Sequence, residues 1–171
     1  DRLIVIEDDI VPTKSFFSFA QELLEKFKND ERIGIISGSN YTPVEDLLSD
    51  YLFTKYGHIW GWATWKRVWD KFDVDVPDLE AEVKSGLVHI YFDDAIERRY
   101  FKNYFSLWLR RIKMKKENAW GPQFFYFRLR NNFLSVVPRV NLVSNIGNRS
   151  SRTESIAVKD TNRWPVDNDF L

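Results

Sequence analysis

Cysteine is absent from this chain of 171 residues. Its absence excludes disulfide-stabilised scaffolds and zinc sites built from thiolates. The two histidines, His58 and His89, do not have the spacing of a zinc-binding pair. A chain without disulfides is typical of a reducing compartment, so we expect a cytoplasmic location or one at the periphery of a membrane.

Net charge and long apolar runs are also missing. The chain has 25 basic and 25 acidic side chains, so bulk electrostatics does not favour a nucleic-acid partner. No apolar run approaches the roughly 20 residues of a membrane-spanning helix, and no signal peptide is visible. The sequence therefore predicts no nucleic-acid partner and no membrane span within the chain.

Aromatic residues, in contrast, are abundant. They make up 16% of the chain, as 7 Trp, 7 Tyr and 14 Phe. Hydrophobic content of 44% and charged content of 29% are those of a globular protein. The composition therefore predicts an aromatic core, an aromatic-lined binding cleft, or both.

The first nine residues combine an apolar run with a cluster of acids. Residues 3–6 read Leu-Ile-Val-Ile, which predicts a strand buried on both faces inside a parallel sheet. Glu7, Asp8 and Asp9 follow where this strand ends, the edge at which α/β sheets bind ligands. Adjacent carboxylates repel one another, so they indicate either a divalent-cation site or a solvated loop entry. Because the chain starts with Asp1, immediately before this strand, we expect the chain to be the later part of a longer domain.

The residues that follow predict an alternation of helices and strands. Pro12 and Thr13 open a helix with one apolar face, formed by Phe16, Ala20, Leu23, Leu24 and Phe27. Residues 32–37 form a second apolar strand, which completes a right-handed βαβ unit. Three further short strands are predicted at residues 51–54, 134–137 and 141–144.

Several helices are predicted between these strands. Gly61 is placed at a turn before a helix that carries Trp62, Trp65 and Trp69, and another short helix follows Pro77. A long helix is expected over residues 93–116, and an aromatic helix over 124–130. The apolar stripe of the long helix comprises Ile96, Tyr100, Tyr104, Leu107, Trp108 and Ile112. Residues 149–168 are polar and predict a mobile tail.

Three other chemistries fit the sequence poorly. A phosphorylation receiver domain needs an acceptor Asp after a later strand, and Asp46 and Asp50 follow no such strand. A phosphatase with an Asp-x-Asp nucleophile needs a Thr after the acids, where Ile10 stands instead. A serine hydrolase would need a Gly-x-Ser-x-Gly elbow, which the sequence does not contain.

Four segments in order resemble one family. They are the acidic-tipped strand of residues 3–9, the strand and turn of 33–40, the Trp-rich run of 58–65, and the Pro-Arg-Val-Asn-Leu-Val-Ser-Asn-Ile-Gly run of 138–147. Together they resemble the bacterial hemolytic-protein-like glycosyltransferases, which are similar in plan to N-acetylglucosaminyltransferase I. The resemblance implies the later half of a GT-A-like (Rossmann-like) α/β nucleotide-diphospho-sugar transferase domain, with a mixed sheet flanked by helices.

The resemblance also implies roles for particular residues. Asp9 would bind Mn²⁺ or Mg²⁺ directly, while Glu7 and Asp8 would contact the donor ribose or the water molecules of the cation. The acceptor side would be formed by Trp60, Gly61, Trp62, Trp65, Trp120 and Gln123. For the tryptophans, packing in the core is the alternative. The implied partners are a nucleotide-sugar donor and a glycan or other hydroxyl acceptor, joined in an inverting transfer.

The chain departs from the family pattern at two positions. Gly121 stands where the family has the Asp expected to act as general base, which leaves Asp93, Asp94 and Glu117 as candidate bases. Glu154 falls where the family has a His that binds the metal, and is the candidate replacement. The alternative function is therefore a non-catalytic descendant that binds a nucleotide sugar or glycan, and a third possibility is a folding fragment without activity. Residues 1–147 would carry the acidic motif and the acceptor side, and 148–171 the polar tail.

Overall fold

The computed structural model describes residues 1–41, 49–114 and 120–146. These residues form two compact units. The first comprises Asp1–Lys71 and the described part of Asn132–Leu171, and the second comprises Phe72–Asn131. The predicted mobile tail, and with it residues 148–171, lies outside the described residues.

The first unit is built on a mixed five-stranded sheet. The described residues of this unit form seven strands, two of which make a separate small sheet. They are β1 (Arg2–Val5), β2 (Ile10–Pro12), β3 (Ile33–Ser37), β4 (Tyr51–Thr54), β5 (Trp62–Trp65), β6 (Leu134–Pro138) and β7 (Val143–Asn145). The large sheet has the order β1-β5-β3-β6-β4, and β2 pairs with β7. Strand β5 is antiparallel to both β1 and β3, β3 is parallel to β6, and β6 is antiparallel to β4. Strands β1, β3 and β6 therefore run in the same direction, and their carboxyl ends lie at one edge.

Strand β1 differs from its prediction in the direction of its neighbour and in its burial. Within the described residues it pairs only with β5, in antiparallel register, so it is an edge strand of the sheet. Its apolar side chains are largely accessible, with Leu3 42% and Ile4 37% exposed. The prediction of a strand buried on both faces within a parallel sheet was therefore wrong for this structure, because an apolar run does not specify how many neighbours the strand has.

The first helix confirms its predicted start and apolar face. Helix α1 (Lys14–Lys26) begins after Thr13, whose hydroxyl accepts a hydrogen bond from the amide of Phe16 at 3.2 Å. Four of the predicted residues, Phe16, Ala20, Leu23 and Leu24, are buried, while Phe27 caps the helix and is half-buried. Strands β1 and β3 run in the same direction, as predicted, but β2 precedes α1 in the connection and β5 lies between β1 and β3 in the sheet.

The tryptophan-rich segment is a strand rather than the predicted helix. Residues Trp62–Trp65 form β5, and only the four residues Lys66–Trp69 form a helix, α2. All four residues of β5 are buried because the strand has a neighbour on each side. The helical spacing of Trp62, Trp65 and Trp69 therefore does not reflect helical structure.

The second unit is helical in its described residues. Its helices are α3 (Leu79–Ser85), α4 (Val88–Tyr91), α5 (Ala95–Lys113) and α6 (Gly121–Arg130). The predictions of a helix after Pro77, a long helix and an aromatic helix are confirmed. Stacked aromatic rings form much of the packing, with ring centroids 4.2 Å apart for Phe92 and Phe101 and 6.2 Å apart for Phe105 and Phe125.

The buried face of α5 is only partly the one predicted. Trp108 of the predicted stripe is buried, together with Phe105, and Tyr104 and Ile112 are half-buried. The other three predicted residues, Ile96, Tyr100 and Leu107, are exposed. The helix has apolar residues on more than one side, and periodicity alone does not decide which side packs. Among the helices that the structure describes, none is both long and apolar enough to cross a membrane.

Candidate functional site

The candidate site lies at the edge of the large sheet where β1, β3 and β6 end. Three segments leave the sheet there, namely residues 7–9 after β1, 38–41 after β3 and 139–142 after β6. The amino ends of the antiparallel strands β4 and β5 reach the same edge. In open α/β sheets this edge is where ligands bind, because side chains from separate strands converge there.

The predicted acidic residues form a turn between β1 and β2. The carbonyl oxygen of Glu7 accepts a hydrogen bond from the amide of Ile10 at 3.1 Å, which closes the turn. The carbonyl oxygen of Asp9 accepts another from the amide of Ile146 at 2.8 Å. Glu7 and Asp9 are half-buried, while Asp8 is exposed. The backbone of the turn is therefore held in place while its carboxylates stay accessible.

The three carboxylates of this turn interact electrostatically. Burial raises the pKa of Glu7, and the negative charges of Asp9 and then Asp8 raise it further. The turn therefore concentrates negative charge at the sheet edge. A cation bound there would relieve the repulsion, and it would favour the ionised form of Glu7.

The oxygen donors fit a cation that arrives with a phosphate ligand. Mg²⁺ in phosphate-binding sites commonly takes one or two protein carboxylates and completes its coordination with phosphate oxygens and water. Asp9, with its neighbours Glu7 and Asp8, supplies donors of this kind. Within the described ranges, no group of three or more His, Asp or Glu side chains is arranged to hold a metal ion by itself. The other predicted ligand, Glu154, lies outside the described residues.

Gly61, predicted on the acceptor side, allows close packing at the centre of this edge. Its φ is +58°, in the left-handed region that glycine tolerates, and a Cβ atom there would lie 2.7 Å from Val143 Cγ1. Its carbonyl oxygen accepts a hydrogen bond from the amide of Gly38 at 2.8 Å. Gly61 thus lets the segments after β3, before β5 and around β7 approach one another.

A buried polar network joins the segments after β3 and β6. The side-chain oxygen of Asn141 accepts a hydrogen bond from the amide of Asn40 at 2.5 Å. The side-chain amide of Asn40 donates to the carbonyl oxygens of Pro138 at 2.8 Å and Arg139 at 3.0 Å. The sequence analysis included Asn40 only in the strand and turn of residues 33–40 and missed its partner. An Asn three residues after a predicted strand was the only signal in the sequence.

An aromatic group lies beside this network. The hydroxyl of Ser37 donates to the carbonyl of His58 at 2.7 Å, and that of Ser39 donates to the carbonyl of Trp60 at 3.0 Å. These bonds hold His58 and Trp60 against the end of β3. The ring of Tyr41 contacts both, with centroid distances of 4.2 Å to His58 and 5.5 Å to Trp60. Trp60 is half-buried, so this predicted acceptor residue keeps part of its ring accessible.

The neighbouring tryptophans Trp62 and Trp65 are packing residues in this structure. Trp62 is 0% exposed and Trp65 is 4% exposed. The indole nitrogen of Trp65 donates a hydrogen bond to the carbonyl of Leu24 at 3.0 Å, and the guanidinium of Arg67 stacks over its ring at 4.5 Å. Buried rings cannot stack on a sugar without rearrangement, so the packing alternative holds for both.

The remaining acceptor residues belong to the second unit. Trp120 precedes α6 and packs against Phe72 and Phe124, with ring centroids 6.3 and 5.5 Å away. Gly121 is the first residue of α6, and Gln123 lies in its first turn, half-buried. No carboxylate therefore stands at the position where the resembled family has its base.

The candidate bases have different structural roles. Asp94 caps α5, because its carboxylate accepts hydrogen bonds from the amides of Ile96 at 2.8 Å and Glu97 at 2.9 Å. These bonds lower the pKa of Asp94, which makes it a weak base. Asp93 is exposed beside it. Glu117 lies outside the described residues.

No protein-family model matches this chain, and no curated protein matches it either. The observations that bear on function are therefore the acidic turn, the buried asparagine network and the aromatic group. All three lie at one edge of the first unit's sheet. Carboxylates, hydrogen-bonding groups and aromatic faces are the groups that bind a cation, a phosphate ester and a sugar ring, respectively.

Proposed function

We propose that this chain is a glycosyltransferase domain, which transfers a sugar from a nucleoside-diphosphate donor to a hydroxyl group of a glycan or similar acceptor. The observation that supports this proposal most is the acidic turn at the carboxyl end of β1, at the same edge as the ends of β3 and β6. The resemblance of the four sequence segments to glycosyltransferases points to the same chemistry.

In this proposal the acidic turn binds the diphosphate side of the donor through a cation. Asp9 is the direct ligand of Mn²⁺ or Mg²⁺, and Glu7 and Asp8 contact the donor ribose or the water molecules of the cation. A bound divalent cation supplies positive charge that offsets the charge of the departing diphosphate. The hydrogen bond from Ile146 to Asp9 fixes the backbone of the turn, so its carboxylates need little reorganisation to bind.

The aromatic group is the proposed acceptor side. Trp60 is half-buried, and the bond from Ser39 to its carbonyl oxygen holds its backbone in place. An aromatic face can pack against the apolar face of a sugar ring. The ring of Tyr41 contacts the indole, and His58 contacts Tyr41 in turn. We therefore assign acceptor contact to Trp60 and not to the buried Trp62 and Trp65.

A second candidate function is binding of a nucleotide sugar or glycan without turnover. It is favoured by Gly121, which begins α6 and offers no side chain to accept a proton. Asp94 uses its carboxylate as a helix cap, so it does not readily replace the missing base. In this case the acidic turn would bind a donor that then reacts slowly or not at all.

The proposal is tested by incubating the purified chain with a panel of nucleotide sugars, Mn²⁺ and candidate acceptors, and measuring release of nucleoside diphosphate. We expect release with at least one donor, and loss of release in the Asp9→Ala variant. Asp75→Ala is the matched control, since Asp75 is an exposed carboxylate in the second unit. Donor binding without release supports the second function, and neither binding nor release contradicts both.

A further inference from the structure

Helix α5 exposes a row of apolar side chains on the side opposite its packed face. Ile96 is 79% exposed, Tyr100 60%, Leu107 49%, and Met114, which caps the helix, 51%. Their spacings of four and seven residues place them on one face of an α-helix. The buried Phe105 and Trp108 lie on the other side. These four residues therefore line one side of the helix, with the polar side chains of Asn103 and Arg110 between them.

Basic side chains flank this apolar stripe. Helix α5 contains six basic residues and one acidic residue, although the chain as a whole has no net charge. Two of the basic residues are engaged locally: Arg98 donates to the carbonyl of Phe92 at 2.6 Å, and Lys113 pairs with Glu80 at 2.7 Å. Arg99 and Arg110 are exposed beside the stripe. We call these two residues and the four apolar ones the α5 outer face.

We propose that the α5 outer face binds the surface of a membrane that contains anionic lipids. An interfacial helix places apolar side chains among the headgroups and acyl chains, while flanking Lys and Arg contact lipid phosphates. Leu107 and Tyr100 supply the insertion, and Arg99 and Arg110 supply the attraction to negative charge. The helix is 19 residues long, so the face extends over about 28 Å along its axis.

The charge of the face argues against a second copy of the chain as its partner. The spacing of the stripe resembles that of a helix that pairs with another helix. Pairing two copies through it would bring Arg99 and Arg110 of one copy close to the same cations of the other. Like charges at the margins of a helix pair are destabilising. An anionic surface, in contrast, matches the charge along the whole face.

The experiment is co-sedimentation of the whole chain with lipid vesicles. One set contains phosphatidylcholine alone, and the other contains phosphatidylcholine mixed with phosphatidylglycerol. Three chains are compared: wild type, a variant with Arg99 and Arg110 both changed to Gln, and a control with Lys14 and Lys71 both changed to Gln. The control residues are exposed and lie outside α5, so both variants lose the same charge. Their thermal melts show whether each variant is folded.

We expect wild type and the control to bind the vesicles that contain phosphatidylglycerol. Both should bind little to vesicles of phosphatidylcholine alone. Removing two cations near the surface should weaken binding roughly thirtyfold. The double change Tyr100→Ser and Leu107→Ser should weaken it at least tenfold by removing the inserted area. Raising the salt concentration should also release the protein.

Three results would overturn the proposal. One is wild type that binds neither kind of vesicle. Another is a control variant that loses as much binding as the α5 variant, because net charge and not the α5 outer face would then be responsible. The third is self-association in solution that the Leu107→Ser change abolishes, which would make this face an interface between copies. None of these results depends on the proposed transferase activity.

Discussion

The amide of Asn40 donates a hydrogen bond of 2.5 Å to the side chain of Asn141, which lies 101 residues later in the chain. Both side chains are buried, and they lie just after the carboxyl ends of β3 and β6. The contact fixes the spacing of two of the three strand ends that form the candidate site. The stability of this edge therefore depends on a polar contact between distant parts of the sequence.

We expect the Asn141→Ala change to lower the free energy of unfolding by about 1–3 kcal/mol, because it leaves the buried amide of Asn40 without its acceptor. The matched control is Asn131→Ala. Asn131 is exposed and bonds locally to the carbonyl of Phe127, so its change should cost less than about 0.5 kcal/mol. Urea unfolding measures both. Equal small effects would show that the network does not stabilise the edge.

Replacing Gly61 by Ala should be more destabilising than replacing Gly86 by Ala. Both glycines have positive φ, +58° and +89°. Each substitution by alanine therefore costs about 1–2 kcal/mol of backbone strain. At Gly61 the new Cβ also meets Val143 Cγ1 at 2.7 Å, whereas at Gly86 its nearest neighbour is His89 Cδ2 at 3.4 Å. We expect an extra cost of about 1–3 kcal/mol at Gly61, seen in denaturant melts. Similar costs would mean that the packing at Gly61 relaxes freely.

The Glu7→Gln change should stabilise the ligand-free protein at neutral pH but not in acid. Burial and the charges of Asp9 and Asp8 raise the pKa of Glu7 in the folded state. The folded state therefore binds more protons than the unfolded state, and the stability of wild type falls as pH rises above the ordinary glutamate pKa of about 4.3. The Glu7→Gln variant has no carboxyl group to ionise at this position, so it does not lose this stability as the pH rises. Thermal melts across pH test it, and a difference independent of pH would contradict this origin.

If the chain binds a nucleotide sugar but turns it over slowly for lack of a base, Gly121→Asp should raise turnover at least tenfold with little change in donor affinity. A positioned general base is worth about 10²–10⁴-fold, and it acts in the transition state more than in binding. The fold should tolerate the change, because an acidic residue in the first turn of a helix is favourable. Gly121→Asn is the control for shape without basicity. Equal rates for the two variants would place the base elsewhere.

Local sequence signals predicted much of the secondary structure. Thr13 predicted the start of α1, and the polar residues around 51–54 delimited β4 correctly, because capping and turn chemistry act over a few residues. The segment Trp62–Trp65 was misassigned because its burial depends on strands on both sides, β1 and β3, which local spacing does not report. For the same reason the sequence predicted only part of the packed face of α5.

The candidate site was predictable where it is local in sequence and not where it depends on tertiary contacts. The position of Glu7, Asp8 and Asp9 at a strand end followed from the apolar run before them. The contact of Asn40 with Asn141 did not, because it joins residues 101 positions apart. The sequence also did not distinguish the buried Trp62 from the partly accessible Trp60.

The most direct test of the proposed donor site is the thermal stability of the whole chain with Mn²⁺ and a nucleoside diphosphate together. At a ligand concentration a hundredfold above the dissociation constant, we expect stabilisation by about 2.7 kcal/mol. The Asp9→Ala variant should show none of this gain, and the Asp75→Ala control should show all of it. A wild type that gains nothing from the metal and nucleotide, or a gain that survives in Asp9→Ala, would contradict the assignment of the acidic turn.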